Sequence, residues 1–168
     1  MALLESLAPL VRSPREAKRL LNLYRMVRST RNLSAASRFL GTDGEPGAFE
    51  AVAILLGILT AFPRRLGQLL DASPDPDRRL PGGLCARSPG IGWREVTAGL
   101  RPRQAGDSWV NDVSGCLDDA DRREWSALVD GLEPATALVM QQDLTEFQEW
   151  GPHIARFSFV LSPLAAGQ

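Results

Sequence analysis

Apolar residues recur along this chain at the three- and four-residue spacing of helices that are buried on one side. Over residues 14–28 this spacing leaves a polar face opposite an apolar one, which predicts an amphipathic α-helix. Residues 48–62 are apolar on all sides, so we predict a helix that other helices surround at the centre of the core. Pro63 cannot continue that helix and is expected to begin a further helical stretch, over residues 63–71.

The helix over 14–28 has a well-marked start. Ser13 precedes Pro14, and Glu16 follows three residues after the serine. This pattern is a capping box, and proline suits the first helical position. At about 100° per residue the two faces of the helix separate. The apolar face is predicted to comprise Ala17, Leu20, Leu21, Tyr24 and Val27, and the basic face Arg15, Lys18, Arg19, Asn22 and Arg25.

Most other segments also favour helices. Residues 2–11 predict a short amphipathic helix, and residues 34–40 predict another, which ends in a glycine-rich turn over 41–44. Further helices are predicted over residues 93–100, 108–116, 119–131 and 134–150. Residues 156–161 alternate between polar and apolar and predict a short strand. The predicted fold class is therefore all-α, an irregular helical bundle with a short C-terminal strand.

Residues 73–92 differ from both flanks because they contain four prolines and four glycines. Such a stretch predicts a loop or linker and is the best candidate for an internal boundary. We therefore expect a helical core over 1–72, which includes the basic helix, and a helical subdomain with a terminal extended segment over 93–168.

The overall composition is that of an ordinary globular protein. Of the 168 residues, 44% are hydrophobic and 23% are charged, which is enough for one full core. Two cysteines without metal-ligand spacing favour a reducing compartment. Residues 1–11 have no basic leader, and the longest apolar run, over 51–62, is shorter than the roughly 18 residues that span a bilayer. We expect a soluble, cytoplasmic protein, and its 18 arginines beside one lysine are typical of a GC-rich bacterial genome.

Charge is strongly segregated along the chain. Residues 11–40 contain eight basic residues and one acid, a net charge of +7, and the remaining residues carry −8. A local field of this strength favours an anion, such as a triphosphate, a nucleic-acid backbone or an acidic protein surface.

The basic helix also resembles a known family. Pro14-Arg15-x-x-Lys18-Arg19-x-x-Asn22 is similar to a signature near the end of the KAP-type P-loop ATPases, which are STAND-like signalling ATPases. The following residues, Leu23, Tyr24 and Arg25, continue the similarity to bacterial members. The resemblance covers roughly residues 12–31 and is weaker over 48–62.

This resemblance implies a helical lid or coupling domain that follows a nucleotide-binding core. By analogy with related AAA-type ATPases, it implies that Arg15 senses the phosphate of ATP, with Lys18 and Arg19 adding charge one turn later. A planar guanidinium near a helix start is chemically suited to this task. The expected partners are the ATPase core, in the same or another chain, and an effector protein or further copies of the chain.

The chain departs from the family in one large respect. A phosphate-binding loop ends in Gly-Lys-Ser or Gly-Lys-Thr, whereas the single lysine here lies between Ala17 and Arg19. We therefore expect no enzymatic activity from this chain by itself. ATP and magnesium are expected as cofactors when the missing core is present, and no cofactor is expected in the isolated chain.

Four other interpretations of the basic helix remain open. The plainest is a solvated polar face, with Arg15 or Lys18 paired to nearby carboxylates. Another is a protein-interaction module of a bacterial signalling or defence system, in which the basic helix contacts an acidic partner. Nucleic-acid backbone binding is less favoured because aromatic residues that stack on bases are sparse on the basic face. Membrane-surface binding is disfavoured because the narrow apolar stripe is needed for the core.

Two further groups of residues were weighed as chemical sites. Cys116, His153 and Asp143 contain the residue types of a nucleophilic set, but no feature of the sequence brings them together, which favours a packing cysteine and a loop histidine. The acidic cluster over 118–121 fits no calcium loop. It is better interpreted as the start of a helix, where carboxylates cap free N–H groups.

Overall fold

Helices account for most of the described chain, which confirms the predicted fold class. The computed structural model describes residues 2–29, 39–42, 45–70, 84, 90–141 and 143–157. Within these ranges the α-helices are, in order, α1 (Ala2–Ser6), α2 (Pro14–Ser29), α3 (Phe49–Ala61), α4 (Pro63–Leu70), α5 (Trp93–Leu100), α6 (Asp119–Leu138) and α7 (Thr145–Ala155). A 3₁₀ turn, Ala8–Leu10, separates α1 from α2. There are also two small antiparallel sheets, one formed by β1 (Gly41–Thr42) and β2 (Glu45–Pro46), the other by β3 (Arg103–Ala105), β4 (Ser108–Asn111) and β5 (Gly115–Leu117).

Helix α3 is the centre of the core, as its apolar sequence predicts. Every residue from 51 to 60 is buried. The single hydroxyl in this run, on Thr60, donates a hydrogen bond to the Leu56 carbonyl at 2.8 Å, so the helix satisfies its own polar group. α2, α4 and α7 all pack against α3. A helix without a polar side is stable in water when neighbours cover it in this way.

The 3₁₀ turn reaches the core because two helices have glycine where it crosses them. A Cβ atom at Gly57 of α3 would lie 3.3 Å from the side chains of both Leu7 and Leu10. A Cβ atom at Gly131 of α6 would lie 2.6 Å from Leu10 Cδ2, which is too close for two carbon atoms. Leu7 and Leu10 are almost completely buried at these positions. The start of the chain therefore fills the space between α3 and α6.

The sheet β3–β4–β5 shows that the helix predicted over 108–116 is wrong. Ala105 pairs with Ser108 across a two-residue turn whose first residue, Gly106, has a φ of 60°. Glycine at this position is typical of the tight turns that join antiparallel strands. Asn111 then ends β4, and its buried side chain accepts hydrogen bonds from the N–H groups of Val113 and Ser114. These turn contacts favour strands over residues 108–116, although the apolar residues there have helical spacing.

The helices predicted over 119–131 and 134–150 are divided differently in the structure. α6 continues through the exposed Pro134 to Leu138, although proline has no N–H to donate to the carbonyl four residues before it. The break comes later, between α6 and α7. There the Glu50 carboxylate accepts hydrogen bonds from the N–H groups of Met140 and Gln141.

The remaining predictions have mixed outcomes. α2, α4 and α5 confirm the helices predicted over 14–28, 63–71 and 93–100. The helix predicted over 2–11 is shorter, because α1 gives way to the 3₁₀ turn that contains Pro9. Of the helix predicted over 34–40, only residues 39–40 are described, and they are helical. The strand predicted over 156–161 is wrong at its first two residues, because Arg156 is the helical C-cap of α7 and Phe157 lies in a turn. Residues 158–161 lie outside the described residues.

Side chains from both sides of the proline- and glycine-rich stretch share one hydrophobic cluster. The rings of Phe39 and Trp150, one from each side of the stretch, meet edge-on with their centroids 5.9 Å apart. Leu84 is fully buried, and its carbonyl accepts a hydrogen bond from Gln148. Apart from Leu84 and residues 90–92, the predicted linker lies outside the described residues. None of the helices in the described ranges is long and apolar enough to cross a membrane.

Arg65 joins α4 to α6 and is the buried cation of the described core. It is 5% exposed, yet its guanidinium contacts two carboxylates of α6, those of Asp121 and Glu124. It also lies over the Trp125 ring, 5.2 Å from the ring centroid, and donates to Gln68. A buried arginine needs such partners because removing its charge from water is costly.

We expect Arg65→Met to lower the free energy of unfolding by about 2–3 kcal/mol, because two charge-assisted hydrogen bonds are lost. Urea unfolding followed by circular dichroism measures the change. Arg64→Met is the matched control: Arg64 is the exposed neighbour in the same helix, and its loss should change the stability by less than about 0.5 kcal/mol. Equal losses in the two variants would contradict the role assigned to Arg65.

Candidate functional site

Helix α2 presents a basic face to solvent because its other side is held against α3. Leu20 and Val27 are buried, and the ring of Tyr24 meets that of Phe49 edge-on, with centroids 5.9 Å apart. The buried side is rotated slightly from the prediction. Leu23 packs against the core, whereas Leu21, which the apolar face was predicted to include, is 44% exposed.

The predicted capping box is present at the start of α2. The Glu16 N–H donates to Ser13 Oγ at 3.2 Å, and Glu16 Oε2 accepts a hydrogen bond from the Arg12 N–H at 2.6 Å. The glutamate thus reaches one residue further back than in the usual motif. The Arg12 guanidinium lies 4.9 Å from the centroid of the Phe62 ring at the end of α3. These contacts fix where the first turn of α2 begins.

The side chains of Arg15, Lys18 and Arg19 form a group that we call the basic ridge. All three residues are exposed, and none has an ion-pair or hydrogen-bond partner among the residues that the structure describes. The one acid in α2, Glu16, already accepts the hydrogen bond from Arg12. The interpretation that nearby carboxylates pair with Arg15 or Lys18 therefore has no support in the described ranges.

Four other arginines have acidic partners. Arg65, Arg101, Arg103 and Arg122 each have a carboxylate within ion-pair distance. Arg101 and Arg103 are exposed, so exposure by itself does not prevent pairing in this fold. The ridge thus differs from these four arginines in lacking an acidic neighbour, and its three positive charges remain available to an anion from outside.

The chemistry of the ridge is that of anion binding. Arg15 lies in the first turn of α2, where the helix dipole favours a negative charge. Its guanidinium offers a planar pair of donors to phosphate oxygens, and Lys18 and Arg19 add charge one turn later. Phosphate groups suit this set, because one phosphate accepts hydrogen bonds from several donors at once.

A second feature of α2 could not be found from the sequence. A groove of about 520 Å³ lies between α1 and α2. Its lining is mostly apolar and includes Leu4, Ala8, Val11, Ala17, Leu20 and Leu21. The charged side chains of Glu5 and Arg12 also line it. Leu21 is exposed because its side chain lines this open groove. No periodicity within α2 indicates it, because the groove depends on where α1 and the 3₁₀ turn lie.

The other candidate residues for chemical sites make local contacts or are exposed. Asp143 Oδ1 accepts a hydrogen bond from the Thr145 N–H at the start of α7, and the His153 ring lies 6.0 Å from that of Trp150. Cys116 is exposed on β5 and His153 lies within α7, so the packing cysteine and the loop histidine that the sequence favoured are both wrong. Asp118 Oδ1 accepts from the Asp121 N–H at 2.7 Å, so the acidic cluster caps α6 as predicted.

We expect Ser13→Ala to lower the free energy of unfolding by about 1 kcal/mol, because the Glu16 N–H loses its partner. Faster amide hydrogen exchange at residues 16 and 17 should accompany the loss. Ser29→Ala, at the other end of the same helix, should cost less than about 0.5 kcal/mol. Unchanged exchange in Ser13→Ala would show that the capping box does not hold the first turn.

Comparisons with protein-family models, with curated proteins and with solved structures found no match to this chain. The resemblance of residues 12–31 to the KAP-type ATPases therefore stays a prediction from the motif.

Proposed function

We propose that this chain is a non-catalytic lid or coupling domain of a signalling P-loop ATPase, and that it senses nucleotide phosphate through the basic ridge. The observation that carries the proposal is the state of Arg15, Lys18 and Arg19. They are exposed, they lie close together on one helix, and within the described residues they have no acidic partner. The motif that contains them resembles that of the KAP-type ATPases, which favours nucleotide phosphate as the ligand.

The three ridge residues have different parts in this proposal. Arg15 contacts the outermost phosphate, because it combines a planar donor pair with the first turn of α2. Lys18 and Arg19 contribute charge from one turn further along and favour a triphosphate over a diphosphate. Loss of the outermost phosphate then weakens the contact with Arg15 first.

The fold supplies the coupling in this proposal. α2 packs on α3, and α3 in turn packs on α4 and α7. The buried residues of α3 leave little freedom for α2 to rotate. A force on the ridge therefore moves α2 and α3 as a unit. The nucleotide-binding core and its magnesium belong to a partner, either elsewhere in the same protein or in another chain. That partner performs hydrolysis, since this sequence contains no phosphate-binding loop.

The direct test is to titrate the chain with ATP at low ionic strength and follow the backbone amide signals of α2 by NMR. We expect saturable shifts at residues 15–19, and Arg15→Ala should weaken the binding by about tenfold, since charged hydrogen bonds of this kind contribute roughly 1.5–3 kcal/mol. Arg64→Ala is the matched control, because Arg64 is exposed on another helix and should leave binding unchanged.

Two results would reject the proposal. The first is the absence of shifts at α2 with millimolar ATP, and the second is equal weakening by Arg15→Ala and Arg64→Ala. A single-stranded oligonucleotide provides the comparison with nucleic acid. If it binds much more tightly than ATP with a steep salt dependence, the ridge recognises a nucleic-acid backbone instead.

A further inference from the structure

We infer that the α1/α2 groove is a docking site for an amphipathic helix whose apolar face is flanked by acidic residues. The groove lies beside the basic ridge, and the inference goes beyond the proposed function because it does not need a nucleotide. The partner is a protein segment of stated chemistry, with Leu or similar side chains for the groove and Asp or Glu for its rim.

The apolar half of this inference rests on the lining of the groove. Leu21 is 44% exposed, and Leu4, Val11 and Ala17 are half-buried around it. Exposed apolar side chains that line one concave surface are typical of a binding site, whereas scattered ones are ordinary. A concavity between two helices suits a third helix that inserts residues spaced three or four apart.

The requirement for acidic residues in the partner rests on the positive charges at the rim of the groove. Lys18 lies three residues before Leu21 and Arg25 four residues after it, so both are next to Leu21 on the surface of α2. Both are exposed, and neither has an ion-pair partner in the part of the chain that the structure describes. Arg12 contributes a third cation from the groove lining, where Glu5 is the acidic member. A partner with a negative flank is therefore complementary, and a positive one is repelled.

The groove and the phosphate-sensing residues occupy different sides of α2. At about 100° per residue, Arg15 is turned about 120° from Leu21 and Arg19 about 160°. Lys18 lies between the two sites. Substitutions of Leu21 or Arg25 therefore test the groove, and substitution of Arg15 tests the ridge, so failure of one proposal is distinguishable from failure of the other.

The test uses a fluorescein-labelled helical peptide of about 18 residues, with leucines at i, i+3, i+4 and i+7 and glutamates beside them. Fluorescence polarisation measures its binding to the whole chain. We expect Leu21→Asp to weaken binding by at least about tenfold, because the apolar anchor is lost. Met26→Asp is the matched control, because Met26 is 50% exposed on the same helix but does not line the groove. Circular dichroism confirms that both variants are folded.

The charge requirement is tested with Arg25→Glu and with a peptide that carries lysine in place of each glutamate. Arg25→Glu should weaken binding of the acidic peptide about three- to tenfold and strengthen binding of the lysine peptide. Added salt should reduce both changes in affinity. Three results would overturn the inference: no binding of the acidic peptide, equal binding of the two peptides, or equal losses in Leu21→Asp and Met26→Asp. Concentration-dependent dimerisation that Leu21→Asp abolishes would also overturn it, because the occupant would then be a second copy of the chain.

Discussion

The burial of α3 on every side is the constraint from which the other features follow. Ten consecutive residues of this helix, 51–60, are inaccessible to water, so each neighbouring element must turn an apolar side towards it. α2, α4 and α7 do so, and Leu7 and Leu10 of the N-terminal segment fill the remaining space against Gly57. For α2 this requirement fixes the rotation of the helix about its own axis, and thereby the direction in which its arginines point.

The fold treats its positive charges in two ways. Arg65 is buried and neutralised by two carboxylates, so it contributes to stability by joining α4 to α6. Arg15, Lys18 and Arg19 are neighbours on one helix, and like charges at three- and four-residue spacing repel each other by a few tenths of a kcal/mol per pair. An anion that binds among them removes this repulsion and adds its own attraction. Unpaired charge at one surface is thus a cost to the free protein and a source of affinity for a ligand.

The sequence predicts the helices more successfully than it predicts the surface of the protein. The apolar run over 48–62 and the capping box at Ser13 are determined by local chemistry, and both are found where the pattern indicates. The strands β3–β5 were missed because a glycine turn and the hydrogen bonds of Asn111 decide the conformation there. The sequence pattern predicts a helix boundary just before Pro134, whereas the exposed proline is accommodated within α6. The exposed ridge follows from the periodicity of α2, but the groove beside it depends on how α1 packs, which no pattern within one helix contains.

We expect the ridge cations to be unpaired in the free protein and to become ordered by phosphate. NMR of the arginine Nε–Hε groups measures this directly, because a paired guanidinium is restricted and an unpaired one is mobile. We predict mobile signals for Arg15 and Arg19 beside a restricted signal for Arg65, and restriction of Arg15 when inorganic tripolyphosphate is added. A signal of Arg15 that is already restricted in the free protein, or that tripolyphosphate leaves mobile, would contradict the account.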